Sequence, residues 1–452
     1  MIQYFFQSAL WIVVILLPIY VGQSEVEGGL AWGHVAKGVL LFVWAFFQNL
    51  TAILSGSFSD RNGRKSSLIL AHILLALGYF FIGISSEFYS FLFGVILLGI
   101  GSGIFKPSLE GWLALELDNK TQKRKALAWG YFIFIINLAV LIATFFADFL
   151  KDISWSWAFF APSLIMLSGF VFIKILGEDK TENKIKEKNT RLNTQNIFRD
   201  LFSNFRKPEI MWLVIIMSGF TIIYMQFYET LPNFIYDWTN SESLANILPS
   251  FMQEKLPRGI HINYLYIFLL NPILVILLIN FISRISSNFN RIRVLQVGMV
   301  LVSLGCLLAG VTNTIYLLLI GFVFYTVGEM TTRTKLNEIF GSIAPSEQKS
   351  TYISLMYMSY GIGYSVSALA GGWLYEHFGD RSNLALGYYQ SHFGVFTGEN
   401  ILVSLADKLS LSPEGLNQFL WDTYHPWLVW IPFVAVGLLS AIGLGIYFKK
   451  YN

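Results

Sequence analysis

Gly56-Ser57-Phe58-Ser59-Asp60-Arg61-Asn62-Gly63-Arg64-Lys65 is a short, charged stretch set between two long apolar runs, 36–56 and 68–85. Each run is about the length an α-helix needs to cross the hydrocarbon core of a bilayer. The stretch between them is therefore a loop on one face of a membrane. Gly56 permits close approach of a neighbouring helix. Asp60 can pair with a basic group or cap a helix N-terminus. Gly63 suits a tight turn. Arg61, Arg64 and Lys65 hold the loop on the side where basic residues collect and are free to bridge to neighbouring elements.

The rest of the chain has the same character. Of its 452 residues 55% are hydrophobic and only 13% charged, too little polar surface to cover a soluble protein of this size. Its 40 Phe, 22 Tyr and 13 Trp suit lipid-facing walls and interfacial belts. The apolar runs are continuous and lack strict alternation, so helices fit and a transmembrane barrel does not. The spans expected are 4–21, 36–56, 68–85, 91–114, 127–148, 156–177, 210–232, 262–283, 293–312, 315–340, 351–376 and 427–448. The first segment, Phe5–Val21, lacks a basic start and a small-residue cleavage site and is read as a retained span. The lone cysteine, Cys306, excludes an intramolecular disulfide.

Lys and Arg orient these spans. One set of loops carries 21 of the 31 basic residues, the opposite set 5, and Lys37, Lys106, Lys174, Arg333 and Lys335 fall inside spans. This bias places both termini in the cytoplasm of a plasma (inner) membrane. The polar segment 178–209 divides the chain into an N-terminal six-helix bundle, 1–177, and a C-terminal one, 210–452. That is the layout of a transporter built from two repeats. Two insertions, 233–261 and 377–426, lie on the outer side; the second contains a helical stretch at Glu399–Leu409 and a helix start at Ser412-Pro413-Glu414. Three roles are open to them: capping the outer mouth, binding a partner, or packing on the outer face.

The loop Gly56–Lys65 resembles the G-x-x-x-D-R-x-G-R-[RK] signature of the major facilitator superfamily. The resemblance implies twelve transmembrane helices in two six-helix bundles, an all-α membrane protein, with Gly56, Asp60, Arg61, Gly63 and Arg64 in the inward gate. The second half has only a weak counterpart, Arg284–Arg293, and span 5 lacks the G-P-x-x-G-G pattern associated with antiporters, which counts against drug efflux by proton exchange. Further segments are similar to the proton-coupled oligopeptide transporter family. They are Gly99-Ile-Gly-Ser-Gly103-Ile-Phe-Lys106-Pro107 in span 4, Phe132-Ile-Phe-Ile-Ile136-Asn137-Leu-Ala139 in span 5, Leu270-Asn271-Pro272 in span 8, and Gly328-Glu329 followed by Ala344-Pro345 at span 10. The chain departs from that family in span 1, where Tyr4-Phe-Phe-Gln7-Ser-Ala-Leu-Trp11 replaces E-x-x-E-R-F-x-Y-Y and Gln7 falls where the arginine would stand.

A charge at membrane depth costs at least a few kcal/mol and needs a reason. Five are singled out: Lys106, Glu110, Glu229, Glu329 and Arg333. Lys106 lies about 22 Å along span 4 and Glu329 about 21 Å along span 10, the equivalent helix of the other half. An ammonium and a carboxylate at matching depth suit a solute with an anionic and a cationic end. In the family resemblance Lys106 faces the carboxylate and Glu329 the amine. Local pairing is the competing reading, since Lys106 and Glu110, like Glu329 and Arg333, are four residues apart. Asn137 and Asn271 lie near the midplane and offer donors and an acceptor either to a solute or to a neighbouring helix. Glu229, near the outer end of span 7, suits an outer gate, a proton path, or snorkelling to water. Glycine pairs in span 11, Gly361/Gly363 and Gly371/Gly372, favour close helix contact.

No phosphate loop, H-E-x-x-H pattern or serine elbow is present, so neither an enzyme nor a cofactor is expected. The basic loops serve topology rather than nucleic acid. The reading is a monomeric secondary transporter that moves a small polar or zwitterionic solute, short peptides being the leading class, by alternating access coupled to protons. Glu329 is the first candidate for coupling, ahead of Glu229 and Glu110. Export of an amphipathic compound or lipid is the alternative within transport, and a transporter-like receptor the alternative outside it.

Overall fold

The computed structural model describes residues 16–23, 28–62, 64–116, 122–176, 206–286, 288–343, 349–398 and 400–451. Gln7, Gly63 and most of the linker 178–209 lie outside them, as do the side chains of 56–62 and of Arg333.

Among the described residues, ten helices are long and apolar enough to cross a membrane. The first half supplies α1 (Gly33–Asn62), α2 (Arg64–Ile84), α3 (Phe88–Glu116), α4 (Gln122–Ile153) and α5 (Trp155–Leu176). The second half begins with α6 (Pro208–Glu229), followed by α7 (Leu231–Trp238), the four-residue α8 (Glu242–Ala245) and a hairpin of β1 (Gln253–Leu256) and β2 (Gly259–Ile262). The crossing 264–286 is made of two pieces, α9 (Tyr264–Phe268) and α10 (Leu270–Ser286). Then come α11 (Arg291–Gly310), α12 (Ile315–Ile343), α13 (Lys349–Phe378), α14 (Arg381–Phe393), α15 (Ile401–Leu409), α16 (Pro413–Tyr424) and α17 (Trp430–Tyr451). Of the two further spans expected, residues 16–22 are the described, helical part of the first. The other is α13, a 30-residue helix whose glycines, serines and tyrosines dilute its apolar character. The all-α membrane fold is thus the one observed. Several helices outrun the expected spans, α4 by about a turn at each end, because a helix continues past the hydrocarbon into the interface.

The two halves are packed alike. A Cβ on Gly78 (α2) would stand 2.9 Å from the carbonyl oxygen of Gly94 (α3), and one on Gly94 equally close to that of Gly78. In the second half Gly305 (α11) and Gly321 (α12) make the same reciprocal approach, at 2.7 and 2.6 Å. Without a hydrophobic drive between helices in lipid, such backbone contact is what pairs them. Around these pairs, Leu75, Tyr79, Phe91, Phe105 and Phe159 fill the first bundle, and Phe227, stacked 3.9 Å from Tyr325, centres the second. Large apolar side chains such as Leu277, Phe281 and Leu439 point outward, as a lipid-facing surface requires.

The insertions fold as one cap. Ser412 accepts a hydrogen bond from Gly415 N (3.0 Å) and starts α16 where the sequence places a helix start. Asn400 caps α15 by accepting from Leu402 N and Val403 N. Helix α14 was not expected; its signal is Asp380, which accepts from Asn383 N at 2.7 Å. Trp238 Nε1 donates to Gly379 O (2.7 Å) and Asn240 to Glu414 Oε1 (2.7 Å), tying the first insertion to the second. Both pack on the second bundle, Phe234 against Trp421 and Trp430.

On the cap side the bundles meet along α1 and α13. A Cβ on Gly38 would lie 2.6 Å from Ala368 O and 3.2 Å from Gly372 Cα, so the two backbones touch. Replacing Gly372 with Leu should wedge this seam open. In a Cys306→Ser background, a lone cysteine at the buried Asn49, which faces Gly361 lower in the same seam, is expected to change from unreactive to reactive toward a membrane-impermeant maleimide. Unchanged labelling of a folded Gly372→Leu protein would show that the contact does not hold the seam shut.

Candidate functional site

The seam between the bundles begins where α1 begins. Gly33 takes φ +79, a conformation that favours glycine, and the first helical N–H groups then point at the end of α13. Val35 N donates to Glu376 Oε2 (2.6 Å), and His34 Nε2 pairs with Asp380 Oδ2 (2.8 Å). Two carboxylates thus sit against a helix N-terminus, where its partial positive charge favours them.

One turn further, Lys37 is 1% exposed. Its Nζ donates to Asn233 Oδ1 (2.9 Å) and to the backbone carbonyl of Glu229 (3.2 Å) and lies 5.4 Å above the Tyr375 ring. Tyr375 in turn donates to Asp237 Oδ2 (2.6 Å), and Asn233 Nδ2 donates to Pro18 O (3.1 Å). A cation of the first bundle is therefore enclosed by α6, α7 and α13 of the second. Lys37 is visible in the sequence as a cation one residue inside span 2, but the sequence shows nothing to separate it from an interfacial lysine. Nor does it pair His34 with Asp380, 346 positions away.

Glu229 faces the same region. It is 2% exposed, which removes the snorkelling alternative. Its Oε2 accepts from Ser367 Oγ (2.7 Å), while Oε1 is buried and has no hydrogen-bond partner among the described residues. Ser367 also accepts from Gln226 Nε2 (2.8 Å), and Gln226 Oε1 is bonded by Thr230. A second contact joins the bundles at the end of α4. Asp148 accepts from Asn263 Nδ2 and Tyr266 OH, both at 2.7 Å, and Lys151 meets Glu254 of the hairpin at 3.2 Å.

Deeper in the second bundle, Glu329 on α12 is 3% exposed. Tyr224 OH donates to its Oε1 (2.8 Å) and Asn271 Nδ2 to its Oε2 (2.9 Å). Asn271 also reaches Thr326 Oγ1 (3.0 Å), and Tyr325 OH donates to Tyr224 O (2.9 Å). The structure thus joins Asn271 and Glu329, predicted on separate spans, into one cluster fed by α6, α10 and α12. The chain interruption at Leu269 puts Asn271 in the first turn of α10, where Pro272 is tolerated because the first N–H groups lack helical partners. In the first bundle Lys106 and Glu110 are half-buried on α3 and Asn137 half-buried on α4, each engaged in interactions of its own. Of the loop Gly56–Lys65, Arg64 and Lys65 are half-buried at the start of α2. The described residues hold no cluster of three or more His, Cys, Asp or Glu fit for a metal.

Asp237, in the cap, is a buried carboxyl beside the seam. Burial raises its carboxyl to about 7, with Asp380 acting in the same direction and Arg381, the Tyr375 hydroxyl and Arg258 opposing. Asp380 is itself buried, but its bonds to the His34 ring and Asn383 N, with Arg381 nearby, hold it below the usual carboxylate value.

Residues 1–253 and 238–413 match the family model described as Major Facilitator Superfamily. The quinolone resistance protein NorA of Staphylococcus aureus is 21% identical over 215 residues, 47% of this chain and 53% of that protein. Multidrug resistance protein 2 of Bacillus subtilis is 22% identical over 191 residues, 42% and 46% of the two chains. The chain spans about half the length of the curated relatives it matches. Among solved structures, a POT family transporter in complex with 5-aminolevulinic acid superposes with TM-score 0.70 at 13% identity, covering 99% of this chain and 95% of that one. The nucleoside transporter NupG superposes with TM-score 0.73 at 12% identity, covering 99% and 98%.

A carboxyl whose value is raised on folding stabilises the folded protein at low pH and loses that contribution as pH rises through the folded value. For Asp237 the loss runs from about pH 4 to about pH 7. Asp237→Asn mimics the protonated form and still accepts the Tyr375 hydrogen bond. It is expected to flatten the fall in thermal unfolding temperature between pH 5 and pH 8. A parallel fall in both proteins would place the titrating group elsewhere.

Proposed function

The chain belongs to the Major Facilitator Superfamily, and we propose that it is a secondary transporter for a small polar or zwitterionic solute, coupled to protons and working by alternating access. Short peptides and amino-acid-like solutes are the leading class. The observation that carries this reading is Glu329. A carboxylate enclosed in an apolar bundle, bonded by Asn271 and Tyr224 beside an interrupted helix, is costly to keep and is built like a site rather than a strut. Lys106, on the equivalent helix of the other half, supplies the opposite charge for the far end of the solute. The likeness to a POT family transporter solved with 5-aminolevulinic acid, a molecule with one amine and one carboxylate, supports the same class.

In this reading the cap side faces out and both termini lie in the cytoplasm. The seam of α1 and α13 is the outer gate, with Lys37 and Glu229 at its inner end. A proton delivered to Glu229 would neutralise a carboxylate that is costly to keep charged in a buried site and would weaken its pull on Lys37. This is a physical route from proton binding to gate opening. Gly56, Asp60, Arg61, Gly63 and Arg64 form the opposing inner gate. Export of an amphipathic compound is the second reading, favoured by the sequence similarity to NorA and Multidrug resistance protein 2.

Proteoliposomes carrying the purified protein, acid outside, should accumulate a labelled dipeptide or 5-aminolevulinic acid, and Glu329→Gln with Lys106→Ala should reduce the rate at least about tenfold. Full uptake by the double variant would remove the proposed site. Drug resistance conferred on a sensitive host, with no pH-driven uptake of either solute, would establish the export reading instead.

A further inference from the structure

The face opposite the cap carries a feature that transport does not explain. Between the start of α11 and the end of α17 lies a crevice of about 490 Å³. Its polar rim is formed by Arg293 and Lys449, both exposed, and its wall by Ile442, Ile446 and Phe448. Gln296 closes the floor, where its Nε2 donates to Ala441 O (3.0 Å) and ties the two helices together.

The order of these groups along α17 is informative. From Lys449 down to Ile442 is seven residues, about 10 Å along the helix axis into the membrane. The cations are at the outer end of that distance and the apolar side chains at the inner end. Ile442 and Ile446 are 59% and 63% exposed, so the wall opens sideways to where acyl chains run. Asn290 caps α11 by accepting from Ile292 N (2.9 Å), placing the positive end of that helix at the same rim. Arg291 and Lys450 add to the positive charge there. Gly445 keeps the crevice open, since a Cβ there would meet the Gln296 amide.

We propose that this crevice binds the headgroup and upper acyl chain of an anionic phospholipid from the surrounding leaflet. A basic rim between transmembrane helices on the side where Lys and Arg collect is the chemistry that recognises such headgroups. The exposed isoleucines favour a lipid over a soluble phosphate compound, which would gain nothing from an apolar wall open to the bilayer. The site lies at the ends of α11 and α17, and its lining shares no residue with the Glu329 cluster or the seam.

The test uses full-length protein purified in neutral detergent, with phosphatidylglycerol or phosphatidylcholine titrated in and bound lipid counted by native mass spectrometry. Wild-type protein is expected to retain one phosphatidylglycerol in preference to phosphatidylcholine. Arg293→Ala with Lys449→Ala should weaken that retention about thirtyfold, at roughly 1 kcal/mol per basic residue near a membrane surface. Gly445→Leu, which fills the crevice without changing charge, should weaken it as well. Folding of each variant is checked by its unfolding temperature in phosphatidylcholine alone. Equal retention by wild type and both folded variants would overturn the proposal. So would displacement of the lipid by millimolar inorganic phosphate, which would identify a soluble-anion site instead.

Discussion

Desolvated charge at the junction of two bundles is the constraint around which this protein is arranged. Lys37 has left water entirely, and an ammonium at that depth is tolerable only with oxygen around it. Asn233 and the Glu229 carbonyl supply it, and both belong to the other half of the molecule. The seam must therefore be well formed on this side for the lysine to be satisfied, and separating the bundles requires water or a new partner for the same group. The backbone contact of Gly38 with Ala368 and Gly372 allows that enclosure, because a larger residue would hold the oxygens out of reach. The seam and the buried cation are one structural unit.

The cluster at Glu329 follows the same physics within a single bundle. Three helices contribute its polar side chains, and the interruption at Leu269 frees the start of α10 to bring Asn271 inward. Stacked aromatics, with Phe227 against Tyr325 and Tyr325 bonded to Tyr224, keep the acceptor geometry rigid.

Apolar length was enough to read an all-α membrane fold, and the charged loop at Gly56–Lys65 was enough to read its superfamily. Glu329, Asn271 and Glu229 were legible because a polar group inside an apolar run stands out. His34, Glu376, Asp380 and Asp237 were not, because they lie at span ends or in loops, where charge is ordinary. What makes them unusual is a partner hundreds of positions away, and that proximity is created only when α1 crosses α13. Lys37 lies between these cases, inside a span by one residue but with a burial that only the packed bundles reveal. Helix α14 was missed for a local reason: its cap, Asp380, lies in a polar stretch without helical periodicity.

Helices α1, α4, α12 and α13 are 30, 32, 29 and 30 residues long. At 1.5 Å per residue, each is a stiff rod of about 45 Å, half as long again as the hydrocarbon core is thick. A rod pivoting at its centre amplifies rotation at its ends. Turning α1 by about ten degrees against α13 carries each tip through about 4 Å, more than the length of a hydrogen bond. Pivot and tips thus differ in kind: a tilt too small to disturb packing at the centre is enough to make or break every polar contact at the ends. A tilt between these rods would therefore be felt first in the polar contacts at their ends, while the packing at the centre of each bundle is kept.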